Sequence, residues 1–293
     1  MKVHVAEEAG FCFGVKRALE IIERLHEEGH KICVYGQLIH NSSVLNDLKA
    51  KGIDCIESLD ELDPDKTLII RTHGIPKETE KDFHKRGIRF VDATCPLVKK
   101  LQGTLETIAK DTSQLVIVGD KKHPEIIAAV SYAAGARLKP VIINSEEEAH
   151  ALSQVETISI AAQTTLDTDF FNTIINILKT KAKKLHIYDT ICNATRVRQA
   201  AIKKLAPEVD AVVIVGGKNS SNTKKLFNIA LKQNKNTFHI ESSDELYDPD
   251  FSRSMKNFQS IGITAGASTP PEEIEKTKNY FKKFTIEKEM NHG

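Results

Sequence analysis

The 293 residues carry 41 Lys and Arg against 40 Asp and Glu, with 40% hydrophobic and 28% charged side chains. This is a globular composition, long enough for two or three domains, and a net charge of +1 gives no electrostatic reason to bind nucleic acid or an anionic membrane surface. No apolar run approaches the ~20 residues that span a bilayer, and five cysteines without a secretory signal read as reduced thiols in a cytoplasm.

The chain opens on an alternating strand, MKVHVAEEAG, which lacks the apolar core of a signal peptide. It runs into GFCFGVKR, where Cys12 between Phe11 and Phe13 reads on its own as a small core hydrophobe. VKRALEIIERLHEEG places Val15, Leu19, Ile22 and Leu25 on one helical face. The strand ICVYG then ends at Gly36, followed by His40, and TLIIRTHGIP supplies His73 and Pro76. DATCPLVKK, around Cys95, starts the pattern again: LVIVG ends at Gly119, His123 follows, and ISIAAQTTLD supplies Thr164 and Asp167. DTICNATRVRQ, around Cys192, starts it a third time, with VVIVGG reaching Gly216, then Ser220, and SIGITAGASTPP supplying Ser268 and Pro271.

The spacing is regular. Each glycine stands 24 residues after its cysteine, each polar side chain four residues after the glycine, and each Pro or Asp three residues after the strand-end residue. Such a period is the signature of an internal repeat. Each unit runs helix, strand, helix, strand, strand, helix, and then the strand carrying the next cysteine. Continuous apolar strands are the mark of parallel sheets covered on both faces, which gives an α/β fold with right-handed crossovers. The expectation is three similar α/β lobes with mostly parallel sheets around a pseudo-threefold axis and a central cleft. Their bounds are 12–94, 95–191 and 192–284; strand 1–11, with no lobe ahead of it, completes the third, and 285–293 is a polar tail.

Ligands of open α/β sheets bind outside the carboxyl ends of the strands, where all the marked residues fall. Three converging thiolates suggest a metal centre. Zinc would need a fourth ligand and usually brings short Cys-x2-Cys pairs, absent here. An iron–sulfur cluster tolerates scattered ligands, and three cysteines would leave one iron open to polarise an oxygen. Phe11 and Phe13 then read as an apolar wall beside it. Cys33 and Cys55 lie inside strands and read as core. Ser220, Ser221 and Asn222 follow a Gly-Gly turn at a helix start; with His40, His73 and Ser268 they suit a phosphate or diphosphate, although a lone serine there would be a plain N-cap. Six residues past the glycines stand Ser42, Glu125 and Asn222. Glu125 is the one carboxylate of the set, a candidate general acid or simply a first-turn residue facing a helix dipole.

In this order, from about residue 10 to 271, the motifs GFCFGVKRAL, GQLIHN, HGIP, DATCPLVKK, HPE, QTTL, DTICNATRVRQ, GGKNSSNT and AGASTP resemble the 4-hydroxy-3-methylbut-2-enyl diphosphate reductase family. The resemblance implies reductive dehydroxylation of an allylic diphosphate to isopentenyl and dimethylallyl diphosphates, the last step of the non-mevalonate isoprenoid route. It implies one 4Fe–4S cluster held by Cys12, Cys95 and Cys192 with one open iron, and electrons from ferredoxin or flavodoxin. It implies substrate contacts at His40, His73, His123, Thr164, Ser220, Ser221, Asn222 and Ser268, with Glu125 as proton donor. Thr164 and Thr165 compete for one contact, and the repeat register favours Thr164. One departure stands out: Ile126, Ile127, Ala128 and Ala129 occupy a segment that in the family usually carries a polar residue and a glycine, making this helix more apolar and rigid. The rival readings are a zinc-dependent hydrolase of a phosphorylated metabolite and a non-catalytic phosphometabolite-binding protein.

Overall fold

The computed structural model describes residues 1–135 and 139–290, with 284–290 as helical backbone only. The chain begins β1 (Lys2–Val5), α1 (Phe13–Glu27), β2 (Ile32–Tyr35), α2 (Ser42–Ala50), β3 (Asp54–Ile56), β4 (Thr67–Ile70), α3 (Lys77–Lys85) and β5 (Phe90–Asp92). It continues α4 (Pro96–Ile108), β6 (Gln114–Val118), α5 (Pro124–Ser131), β7 (Val141–Ile143), α6 (Glu146–His150), β8 (Val155–Ala162), α7 (Thr168–Leu178) and β9 (Ala182–Tyr188). The last stretch is α8 (Asn193–Leu205), β10 (Ala211–Val215), α9 (Ser221–Gln233), β11 (Thr237–Ile240), α10 (Pro249–Met255), β12 (Ser260–Ala265) and α11 (Pro271–Met290).

The strands form three four-stranded sheets, ordered β3-β2-β4-β5, β7-β6-β8-β9 and β11-β10-β12-β1. Every pairing is parallel. In the third sheet β1 takes the place that β5 and β9 hold in the others, pairing with β12 from Lys2↔Ser260 to Val5↔Ile263.

The apolar runs explain the layering. In the second sheet, Val116, Val118, Ile158 and Ile160 pack on one face with Phe171, Ile174 and Leu178 of α7. Leu115, Ile117 and Ala161 pack on the other with Leu101 and Leu105 of α4 and with Ile126 and Ala129 of α5. The third sheet repeats this, with Val213, Val215, Ile261 and Ile263 against Phe281 of α11, and Val212 and Ile214 against Ile202, Leu226 and Ile229 of α8 and α9. Each such side chain contributes about 1.5–3 kcal/mol on burial, and Phe281→Ala would cost about 3–5 kcal/mol.

Three details differ from the sequence reading. The short helices α6 and α10 intervene before the third strand of their units, and a 3-10 turn, Leu59–Glu61, does so in the first. Ser145 caps α6, Asp248 caps α10, and Ser58 with Glu61 forms a capping box on the turn, so local side-chain acceptors start a turn that apolar periodicity does not reveal. On α1, Ala18 is fully buried, whereas Leu19 is only half-buried. Of the tail at 285–293, residues to Met290 continue α11 and 291–293 lie outside the described residues.

The chain divides into two compact units. One holds Met1–Phe13, His40–Leu48 and the chain from Asn193 onward, with the third sheet; the other holds Gly14–Ile39 and Lys49–Cys192, with the first and second sheets.

Candidate active site

Each marked cysteine stands immediately before a helix. Cys12 precedes α1, Cys95 is the N-cap residue of α4, and Cys192 precedes α8. All three are half-buried cysteines. One backbone tie recurs in all three repeats: the cysteine amide donates to the carbonyl of Ala267 for Cys12 (3.0 Å), of Thr72 for Cys95 (3.0 Å) and of Thr164 for Cys192 (2.9 Å). The loops before two of them are braced from within. Asp92 Oδ1 accepts from the Thr94 amide at 2.8 Å and Asp189 Oδ1 from the Ile191 amide at 3.2 Å. Asp92 also pairs with Lys99 at 2.6 Å. Burial alone would raise the Asp92 carboxyl, but the bonds from Lys99 and Thr94 hold it below the usual carboxylate range. These aspartates were missed as site residues, although Asp three residues before Cys95 and Cys192 is a signal the repeat carries.

The other two cysteines part company. Cys33 is 1% exposed on β2, in the core of the first sheet, and burial pushes its thiol up to about 11. Cys55 on β3 is exposed, which corrects its reading as core: β3 is a three-residue strand at the sheet edge, paired on one side only, and Asp54 beside it is exposed as well. Phe13 is likewise exposed, at 67%.

The unit with the first and second sheets brings together His73, His123, Glu125 and Thr164. Glu125 opens α5 and is 1% exposed. One of its oxygens accepts from the Thr164 amide and the other from the Thr164 hydroxyl, each at 2.7 Å. His123 caps α5, its Nδ1 accepting from the Glu125 amide at 3.2 Å. With that lone pair engaged, the neutral ring carries its proton on Nε2. The His73 and His123 rings meet edge to face at 5.1 Å. Gly14, two residues after Cys12, packs in this unit against Cys95: a Cβ there would lie 2.6 Å from Cys95 Sγ. Ile126 and Ala129 pack in the core with Leu101 and Leu105 of α4, whereas Ile127 of the same segment is half exposed.

Sheet register revises one equivalence. Tyr35↔Ile70, Val118↔Ala162 and Val215↔Ala265 are the pairs just before the three glycines. Counting on from them aligns Thr72, Thr164 and Ala267, the three carbonyls that receive the cysteine amides, and then His73, Thr165 and Ser268. The repeat therefore matches Thr165, not Thr164, to His73 and Ser268. Thr164 is distinguished instead by its two bonds to Glu125.

The other unit assembles His40, Ser220, Ser221, Asn222 and Ser268. The His40 carbonyl accepts from Ser268 Oγ at 3.3 Å and packs on Gly217, where a Cβ would lie 2.2 Å from that oxygen. Only glycine tolerates so close a backbone approach. Ser220 is the N-cap of α9, its Oγ accepting from the Thr223 amide at 3.3 Å, with Ser221 and Asn222 in the first turn. Asn222 is 5% exposed, and its Nδ2 has no hydrogen-bond partner among the described residues. A buried amide donor without an acceptor costs about 1–3 kcal/mol, and it stands in the first turn of a 13-residue helix, where the dipole favours negative charge. Ser42 stands apart, bonded to Glu241 at 2.6 Å.

A family model described as LytB protein matches residues 3–282. A 4-hydroxy-3-methylbut-2-enyl diphosphate reductase of Aquifex aeolicus (strain VF5) is 41% identical over 276 residues, covering 94% of each chain. That of Caldanaerobacter subterraneus subsp. tengcongensis is 44% identical over 287 residues, 95% of this chain and 97% of its own. Among solved structures, an (E)-4-hydroxy-3-methyl-but-2-enyl diphosphate reductase, described as the terminal enzyme of the non-mevalonate pathway, superposes with a TM-score of 0.69 at 38% identity over 97% of this chain and 100% of that one. The reductase from Plasmodium falciparum superposes with a TM-score of 0.87 at 29% identity over 95% of this chain and 87% of that one.

Proposed function

The chain belongs to the LytB protein family, and from that premise we propose that it is the terminal reductase of the non-mevalonate isoprenoid route. It replaces the hydroxyl of 4-hydroxy-3-methylbut-2-enyl diphosphate with hydrogen, consuming two electrons and two protons, releasing water and leaving isopentenyl or dimethylallyl diphosphate. The relatives' names carry this reading and lend nothing to a zinc hydrolase or a passive binder.

Three half-buried cysteines, each at a helix entrance and each with its amide tied to the same register position, are a donor set suited to iron–sulfur ligation. This shared tie is the observation that carries the assignment. Cys12, Cys95 and Cys192 would hold a 4Fe–4S cluster, which when bound supplies electrons and a Lewis-acidic iron.

The remaining roles belong to the chain's own side chains. Ser220, Ser221 and Asn222, with Ser268 and His40, bind the diphosphate at the N-terminus of α9, where hydroxyl and amide donors and the helix dipole favour the anion. His73 and His123 donate to the substrate, His123 through Nε2–H. Glu125 holds the proton to be delivered, and Thr164, bonded to both its oxygens, orients it toward the departing hydroxyl. Electrons come from ferredoxin or flavodoxin, and the reaction belongs in a cytoplasm, which suits free thiols. Among the described residues no helix is long and apolar enough to cross a membrane.

The test is anaerobic turnover of 4-hydroxy-3-methylbut-2-enyl diphosphate with a reduced one-electron donor. Formation of the two isomeric five-carbon diphosphates is expected. Release of inorganic phosphate or diphosphate without reduction would replace this reading with hydrolysis.

A further inference from the structure

Arg198 lies on α8, six residues after Cys192, and has no part among the ligands and substrate contacts above. It is 2% exposed. A buried guanidinium carries a large desolvation cost, so it persists where its planar fork of donors holds groups that a point charge could not. Nη1 donates to the Ala194 carbonyl of its own helix at 2.9 Å, and Nη2 reaches across to the Gly10 carbonyl at 2.7 Å.

Gly10 is two residues before Cys12, whose amide is tied to Ala267 at 3.0 Å. The segment between β1 and α1 belongs to neither a helix nor a strand. Asp92 and Asp189 brace the loops of Cys95 and Cys192 from three residues upstream. The same place before Cys12 is Ala9, which has no carboxylate with which to do so.

We propose that Arg198 is a positioning residue for Cys12: its buried fork fixes the loop that presents this thiol, the part played by Asp92 and Asp189 in the other two repeats. The proposal rests on the reductase reading only for what the thiol is for. Losing the fork releases Cys12 and leaves Cys95 and Cys192 where they were.

Two variants test it. Arg198→Lys keeps the charge and loses the fork. Arg198→Met removes the fork and the charge together, and it carries the test if the lysine variant does not fold. In the full-length cluster-free chain, alkylation of each cysteine is timed by mass spectrometry. Cys12 should react about tenfold faster, the equivalent of one charge-assisted hydrogen bond, with Cys95 and Cys192 unchanged. In reconstituted protein, iron release to a chelator should speed up by about 10- to 100-fold, as for other residues that orient metal ligands, while the cluster-free chain stays folded with its melting temperature lowered by only a few degrees. No acceleration at Cys12, or equal acceleration at all three cysteines in both variants, overturns the proposal. Wild-type protein that binds no iron overturns the cluster reading instead and leaves the alkylation result standing.

Discussion

Thr164 donates to Glu125 twice, its backbone amide to one carboxylate oxygen and its hydroxyl to the other, both at 2.7 Å. The pair is buried, and the same Thr164 offers its carbonyl to the amide of Cys192. One residue thus links the candidate acid to a candidate cluster ligand. Glu125→Gln should lower turnover by about 10²- to 10⁴-fold, the usual worth of a positioned general acid, with iron content unchanged. Thr164→Val removes only the hydroxyl and should cost less, about 10-fold, the value of one hydrogen bond to a charged group. Near-normal single-turnover rates in Glu125→Gln protein with an intact cluster would take Glu125 out of the proton-donor role.

Gly217 has no room for a side chain, because the His40 carbonyl occupies it. Gly217→Ala should push His40 out of line with Ser268 and weaken diphosphate binding by about 10- to 100-fold, the range for losing hydrogen bonds to a charged ligand. Since this binding serves ground and transition states alike, KM should rise with kcat nearly unchanged. Steady-state kinetics checks it, and calorimetry with inorganic diphosphate should show the same loss.

Asp92 titrates below its unfolded value because of its bonds to Lys99 and Thr94. A carboxyl with a depressed folded pKa adds stability that is present above the unfolded value, about 3.9, and is lost as pH falls through the folded one. The pair is partly exposed, so solvent screening limits it to about 1 kcal/mol or less. Urea midpoints of wild type and Asp92→Asn should differ at pH 7 and converge as pH falls from about 5 to 3. A constant difference across that range would leave the carboxylate without this role.

Cys33 should be chemically silent. With its thiol pushed up to about 11, roughly a thousandth of it is thiolate at pH 8, and the thiolate is the reactive form. Mass spectrometry should find it unalkylated in folded protein when Cys55, exposed on its edge strand, is fully modified. Neither Cys33→Ala nor Cys55→Ser should change iron content.

Spacing made the parallel sheets, the helix-entrance cysteines and the capping turn at Ser220 legible, because each depends on chain distance between strand ends and helix starts. The replacement of β5 and β9 by β1 in the third sheet follows from the same count. What spacing could not resolve was which of two adjacent residues faces a partner. Thr164 and Thr165 differ by one step in a strand exit, and only the backbone pairing to Cys192 and the bonds to Glu125 separate them. The exposure of Cys55 was hidden for a similar reason: a strand as short as Asp54–Ile56 reads the same at a sheet edge as at its centre. Arg198 was hidden too, since a basic residue on a helix reads as solvated until a distant carbonyl, here Gly10, is brought to it.

The central claim is that Cys12, Cys95 and Cys192 together hold a redox cluster. Iron and acid-labile sulfide analysis of anaerobically prepared protein tests it most directly, with each cysteine changed in turn to serine. About four iron and four sulfide per chain are expected in the wild type, falling sharply in each of the three variants and holding in Cys33→Ala. A colourless protein with a single zinc and no sulfide, or iron content indifferent to these three cysteines, would contradict it.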